Sequence, residues 1–122
     1  MLSFEDIIKV DTVLQAYLLL MVADFITGFL KAWKSEGFKS RKIRDGVIRV
    51  IGELVAIFVG GVLDMIMGFN GVTITSIKWL FIFKEFVSIA ENLGAVGVTL
   101  PEWIKDKLEE LKTDYEKPKP KR

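Results

Sequence analysis

Three long apolar stretches, at about residues 13–33, 47–69 and 77–98, each carry acidic or basic residues inside them. Each is long enough, at about 1.5 Å of rise per residue, to cross a hydrocarbon core of roughly 30 Å as a helix. Yet Asp24, Glu53, Asp64, Lys84, Glu85 and Glu91 fall within them. Charge in hydrocarbon is costly and persists mainly where it faces a protein interior or water. The combination predicts an all-α membrane protein whose helices meet along a polar seam. A soluble helical bundle would instead show broad polar faces with a period of 3.6, and here the polar stripes are narrow.

Composition narrows the chemistry. The chain has 122 residues, enough for one domain, and contains neither Cys nor His. Disulfides, thiol chemistry and the commonest general base and metal ligand are therefore absent. No Gly-rich phosphate loop is visible, and Ser88 has no evident base to activate it. We expect no enzyme, no cofactor and no metal site. A net charge of +1 gives no reason to expect nucleic acid as a partner. Residues 1–11 lack the basic segment of a cleavable signal, so the first apolar run is expected to stay in the mature protein.

Charge also sets a topology. Before the first run, Glu5, Asp6 and Asp11 against Lys9 leave a balance of −2. Between the first two runs, Lys31, Lys34, Lys39, Arg41, Lys42, Arg44 and Arg49 against Glu36 and Asp45 leave +5. The second connection carries no charge. Basic segments stay on the cytoplasmic side, so three transmembrane helices with the N-terminus out and the C-terminus in are expected. The basic loop, about 35–46, holds Lys39, Arg41, Lys42 and Arg44, with Arg49 just beyond. Residues 68–75 read as a tight turn, because Gly68, Asn70 and Gly71 tolerate positive φ.

On this reading residues 1–98 form the membrane domain and 99–122 a cytoplasmic extension. Pro101 suits the start of a helix. Ile104, Leu108, Leu111 and Tyr115 then make an amphipathic stripe. Residues 117–122 alternate Lys with Pro and are expected to be disordered. The extension reads as a solvated surface helix, or as a contact with anionic lipid.

The second run places Gly46, Arg49, Glu53, Ala56, Gly60, Asp64 and Gly68 on one helix face. Small residues there, Ala56, Gly60 and Gly68, together with Gly28 in the first run, allow close helix packing. In the third run Lys84, Glu85, Ser88, Glu91 and Asn92 cluster on one side. About ten apolar residues contribute roughly −3 to −6 kcal/mol to insertion, while three central charges cost roughly +8 to +10 kcal/mol. The third segment therefore needs partners. Residue counts from the inner ends pair Lys84 with Asp64, and Arg49 can meet Glu53 at i,i+4 on its own helix or reach toward Glu91 near the same leaflet. The polar residues, Asp24 included, either hold a bundle together or line a water-filled pore.

Several local patterns resemble the toxin-secretion and phage-lysis holin family. They are Asp24-Phe25-Ile26-Thr27-Gly28 followed by Lys31-Ala32 and Lys34, then Ser40-Arg41-Lys42 with Asp45-Gly46. Glu85, Ser88-Ile89 and Glu91-Asn92 follow, with Gly94, Gly97 and Pro101 after them. The likeness runs from about Asp24 to Leu111. It implies a small holin of the bacterial inner membrane. Such a protein oligomerises and opens a lesion through which an endolysin or a toxin passes, without direct binding to it. The implied partners are membrane lipid and further copies of the chain. Two other readings stand beside it: an antiholin or membrane scaffold, and a small proton-coupled channel or transporter using Asp24 or Glu53 as a relay. Three spans without a visible inverted repeat give the transporter little support.

Overall fold

The computed structural model describes residues 2–35 and 40–116. Five helices follow one another: α1 (Phe4–Ile8), α2 (Thr12–Ser35), α3 (Ser40–Met67), α4 (Val72–Ala95) and α5 (Glu102–Glu116). No strand occurs among the described residues.

Each boundary has a local cause. Ser3 and Asp6 form a capping box that starts α1: the Asp6 N–H donates to Ser3 Oγ, and the Ser3 N–H donates to Asp6 Oδ2 at 2.9 Å. Hydrogen bonds donated to it by the Ser3 N–H and the Ser3 hydroxyl hold the Asp6 carboxyl below its ordinary pKa. Asp11 caps α2 by accepting the Leu14 N–H at 2.8 Å. Gly68, at φ 71°, ends α3, and the Phe69 N–H returns to the Asp64 carbonyl. Gly97, at φ 93°, ends α4 in the same way, with the Val98 N–H on the Leu93 carbonyl. Both are Schellman closures, which need a left-handed residue.

α4 is the middle helix. It packs against α2, α3 and α5, and α1 rests on α3. Contacts of α2 and α4 advance together along the chain, from Asp11–Lys78 to Lys34–Ala95, so these helices run parallel. α3 and α4 form an antiparallel hairpin. Tyr17, Ile57, Ile74 and Ile82 make the buried core. Gly60 and Gly61 let α3 approach its neighbours: a Cβ on Gly60 would come to 2.6 Å from Ile77, and one on Gly61 to 2.9 Å from Ile7 of α1.

The exterior is apolar. Leu19, Ile48, Val55, Phe58, Val59 and Ile66 are all exposed. A surface of this kind faces lipid or a partner. Two helical stretches, within Phe4–Ser35 and Ser40–Met67, are long and apolar enough to cross a membrane.

Some expectations shift. The third apolar helix starts at Val72 rather than near 77, and ends at Ala95 rather than near 98. The basic connection is shorter than expected, because α3 begins at Ser40. Arg41, Lys42 and Arg44 therefore stand on its first turns, and Arg49 lies further along it. Lys39 and the tail 117–122 lie outside the described residues, as do the side chains of Leu108, Leu111 and Tyr115. Gly68 does not pack helices together: it lies in the turn, and nothing stands within 4 Å of where its Cβ would be. Ala56 is half-buried on α3. Gly28 comes close to α4, its Cβ position 3.6 Å from Asn92 Nδ2.

Candidate functional site

α4 carries its polar residues into two clusters around buried carboxylates, one against α2 and one reaching α3. The first centres on Asp24 of α2, which is buried. Its carboxylate accepts from Ser88 Oγ at 2.7 Å, from Asn92 Nδ2 at 3.0 Å and from Arg49 Nη2 at 3.3 Å. Asn92 Nδ2 also donates to Thr27 Oγ1 at 3.0 Å. Three helices thus converge on one carboxylate. Charge-assisted bonds of this kind are the strong ones.

The second cluster centres on Glu53 of α3, also buried. Tyr17 donates its hydroxyl proton to Oε1 at 2.6 Å, and Lys84 Nζ pairs with Oε2. The Lys84 ammonium also lies 5.3 Å from the Phe81 ring centroid, within cation–π range. Between the clusters sits Glu85. It is fully enclosed, and its carboxyl lies within hydrogen-bonding reach of Asp24.

The partners differ from those expected. Lys84 pairs with Glu53, not with Asp64. Arg49 turns to Asp24 rather than to Glu53 on its own helix. Asp64 is completely buried and caps α4 from the neighbouring helix, accepting the Thr73 N–H at 2.9 Å and the Ile74 N–H at 2.8 Å. It fills the role that Gly71, which has no side chain, leaves open at the N-cap. Glu91 is exposed. The structure therefore brings Asp24, Glu53, Lys84, Glu85, Ser88 and Asn92 together, and sets Asp64 apart at the turn end.

Two participants escaped the sequence reading. Tyr17 sits in an apolar run where a hydroxyl gives little signal. Lys78 is buried and meets Asp11 at 3.0 Å, tying the start of α2 to α4. A lysine near the beginning of the third apolar run, level with an acidic residue before the first, was the available clue.

An apolar exterior, two helices able to span a bilayer and polar clusters around buried carboxylates between helices define a helical membrane protein. The profile of the bacteriophage holin family matches residues 5–113. A "probable holin" of Bacillus phage phi105 is 36% identical over 101 residues, covering 83% of this chain and 75% of its own length. The protein YqxH of Bacillus subtilis strain 168 is 33% identical over 106 residues, covering 87% of this chain and 76% of its own. A 14.9 kDa protein from the nagH 3' region of Clostridium perfringens is 33% identical over 103 residues, covering 83% and 77%. No solved structure matches the chain. The chain belongs to the bacteriophage holin family, and that membership makes it a non-enzymatic protein.

Proposed function

We propose that the protein is a holin of the bacterial cytoplasmic membrane, whose copies assemble into a lesion that releases an endolysin or a toxin. α2, α3 and α4 cross the bilayer, with α1 outside and α5 inside. The basic residues from Lys31 to Arg49 support that orientation. α4 is long enough to cross, about 36 Å for its 24 residues. It is too charged to insert comfortably alone, and its position between α2 and α3 supplies the partners it needs.

The observation that carries the reading is the polar seam inside an apolar exterior. A protomer in this state buries Asp24, Glu53 and Glu85 between its helices. If α4 loosened from α2 in an assembly of several copies, Asp24, Ser88, Asn92 and Glu85 would line water instead. Water would solvate the buried Asp24 and Glu85 carboxyls, which favours the wetted state once it is accessible. Heterologous contacts between copies close into rings when the rotation permits. The passenger needs no contact with the protein.

The test is release of graded fluorescent dextrans from liposomes holding the purified chain, against protein-to-lipid ratio. A threshold ratio above which protein-sized dextrans escape is the expected result. Release of ions alone would indicate a small channel. No release at any ratio, together with harmless expression in bacteria, would indicate an antiholin or scaffold. Either of these results defeats the lesion.

A further inference from the structure

α2 and α3 pack mainly on α4, and they meet each other where Phe25 lies against Gly46, Tyr17 reaches Glu53 and Arg49 reaches Asp24. They leave a groove of about 770 Å³, within the roughly 300–1,000 Å³ typical of ligand sites. Its floor is polar and already satisfied, formed by the Asp24, Ser88 and Asn92 cluster. Its walls are apolar, with Phe25 and Phe29 of α2 and Ile43 of α3 among them.

Its mouth carries Lys31 and Lys42. Both are exposed, and neither has an acidic partner among the described residues. The carboxylates that line the groove are engaged elsewhere: Asp45 lies 3.7 Å from Arg44, and Asp24 is held by Arg49. The mouth therefore has positive charge with no counterion among the described residues.

The parts are ordered by depth. Lys31 lies seven residues beyond Asp24, and Lys42 seven residues before Arg49, so the backbone positions of both lysines stand about 10 Å nearer the inner surface than those of Asp24 and Arg49. Aromatic and aliphatic wall fills the interval. The geometry points to an anionic phospholipid of the inner leaflet, its phosphate between Lys31 and Lys42 and an acyl chain along Phe25, Phe29 and Ile43. Basic pockets between transmembrane helices on the cytoplasmic side hold such headgroups. A soluble anion would leave the apolar wall unused. A zwitterionic head would bring a second cation toward the two lysines. The inference rests on the transmembrane placement proposed above, and it adds a ligand that holds α2 and α3 in the closed arrangement.

The experiment is native mass spectrometry of the full chain released from nanodiscs of phosphatidylcholine with phosphatidylglycerol. Preferential retention of phosphatidylglycerol is expected. Lys31→Gln with Lys42→Gln should weaken it about 30-fold, from two basic contacts near the headgroup. Lys105→Gln with Lys107→Gln on α5 removes the same charge and should leave retention unchanged. Because the chain has no Cys, Ile43→Cys gives a single reporter in an otherwise native groove. Its labelling by a membrane-soluble maleimide should slow as phosphatidylglycerol is added. Equal retention of the two lipids overturns the site, as does equal loss in the α5 control. Equal protection of Ile43→Cys by glycerol phosphate alone, or a disulfide between two copies at that position in phosphatidylglycerol, also overturns it. Carbonate extraction of the same preparations separates the two levels. A chain that is extracted defeats the transmembrane placement, whereas a chain that stays in the membrane and shows no lipid preference defeats this inference alone.

Discussion

The pairing of Glu53 with Lys84 makes an asymmetric prediction. Glu53 is almost completely enclosed, with side-chain exposure of 7%, while Lys84 retains 30%. Removing one partner of a buried ion pair costs about 3–5 kcal/mol, because the other charge is left uncompensated. Lys84→Met leaves the enclosed Glu53 carboxylate with Tyr17 alone, and should cost the full amount. Glu53→Gln leaves a lysine whose long stem can carry its ammonium toward the surface. That variant also keeps an acceptor for Tyr17, so it should cost about 1–3 kcal/mol, as for an incompletely satisfied polar group. The double variant removes both charges and should be less destabilised than Lys84→Met alone. The assay is unfolding in mixed micelles, followed by tryptophan fluorescence and treated as a double-mutant cycle. Coupling within about 0.5 kcal/mol of zero, the range for independent sites, would refute the pairing. So would Glu53→Gln proving the more damaging single change, since it would place the dominant burial on the wrong partner.

Further expectations concern the hairpin and its outer end. Asp64→Ala should destabilise the protein by about 0.5–2 kcal/mol, the range for a lost N-cap, with Asp64→Asn milder because it keeps an acceptor. Hydrogen exchange at the Thr73 and Ile74 amides should rise in step, and unchanged exchange would remove Asp64 from the cap. Gly61→Val would push into Ile7 and cost about 1–3 kcal/mol as overpacking. It should lift α1 from α3, so tryptic cleavage after Lys9 should accelerate while cleavage after Lys105 does not. The Asp6 carboxyl titrates below its ordinary value of 3.8. Its contribution to α1 is therefore complete above that value and is lost as pH falls through the lower folded pKa. Amide exchange in residues 4–8 followed from pH 6 down to pH 2 should show protection fading only at the acid end.

The helices themselves were legible in hydropathy, and so was the stripe on α3, where Glu53, Gly60 and Asp64 all turn inward as the spacing implied. Partner choice was not. Pairing Lys84 with Asp64 depended on counting from helix ends, and those ends were misplaced. Asp64 stands 24 residues from Ser40, whereas Lys84 stands 11 from Ala95. The two differ by about 20 Å in height. Glu53 lies 13 residues from Ser40, which matches Lys84. The boundary error that matters lies at the inner end of α3: its basic first turns, Arg41, Lys42 and Arg44, look like loop, yet the helix begins at Ser40, seven residues before the apolar run at 47. Arg49 was assigned to Glu53 because i,i+4 pairing is the local default. The buried Asp24, offered by a different helix, competes better and is not visible in local spacing.

The cap that Asp64 places on α4 bears on the order in which the chain is made. α2 and α3 leave the ribosome before α4. When α4 emerges, Asp64 is ready to receive its first amides, Glu53 is ready for Lys84, and Asp24 for Ser88 and Asn92. α4 is thus synthesised after the groups that its Lys84, Ser88 and Asn92 meet. Moving its coding segment ahead of α3 would strand those side chains during translation, so a circularly rearranged gene should yield protein that fails to integrate even though every contact of the finished fold remains available.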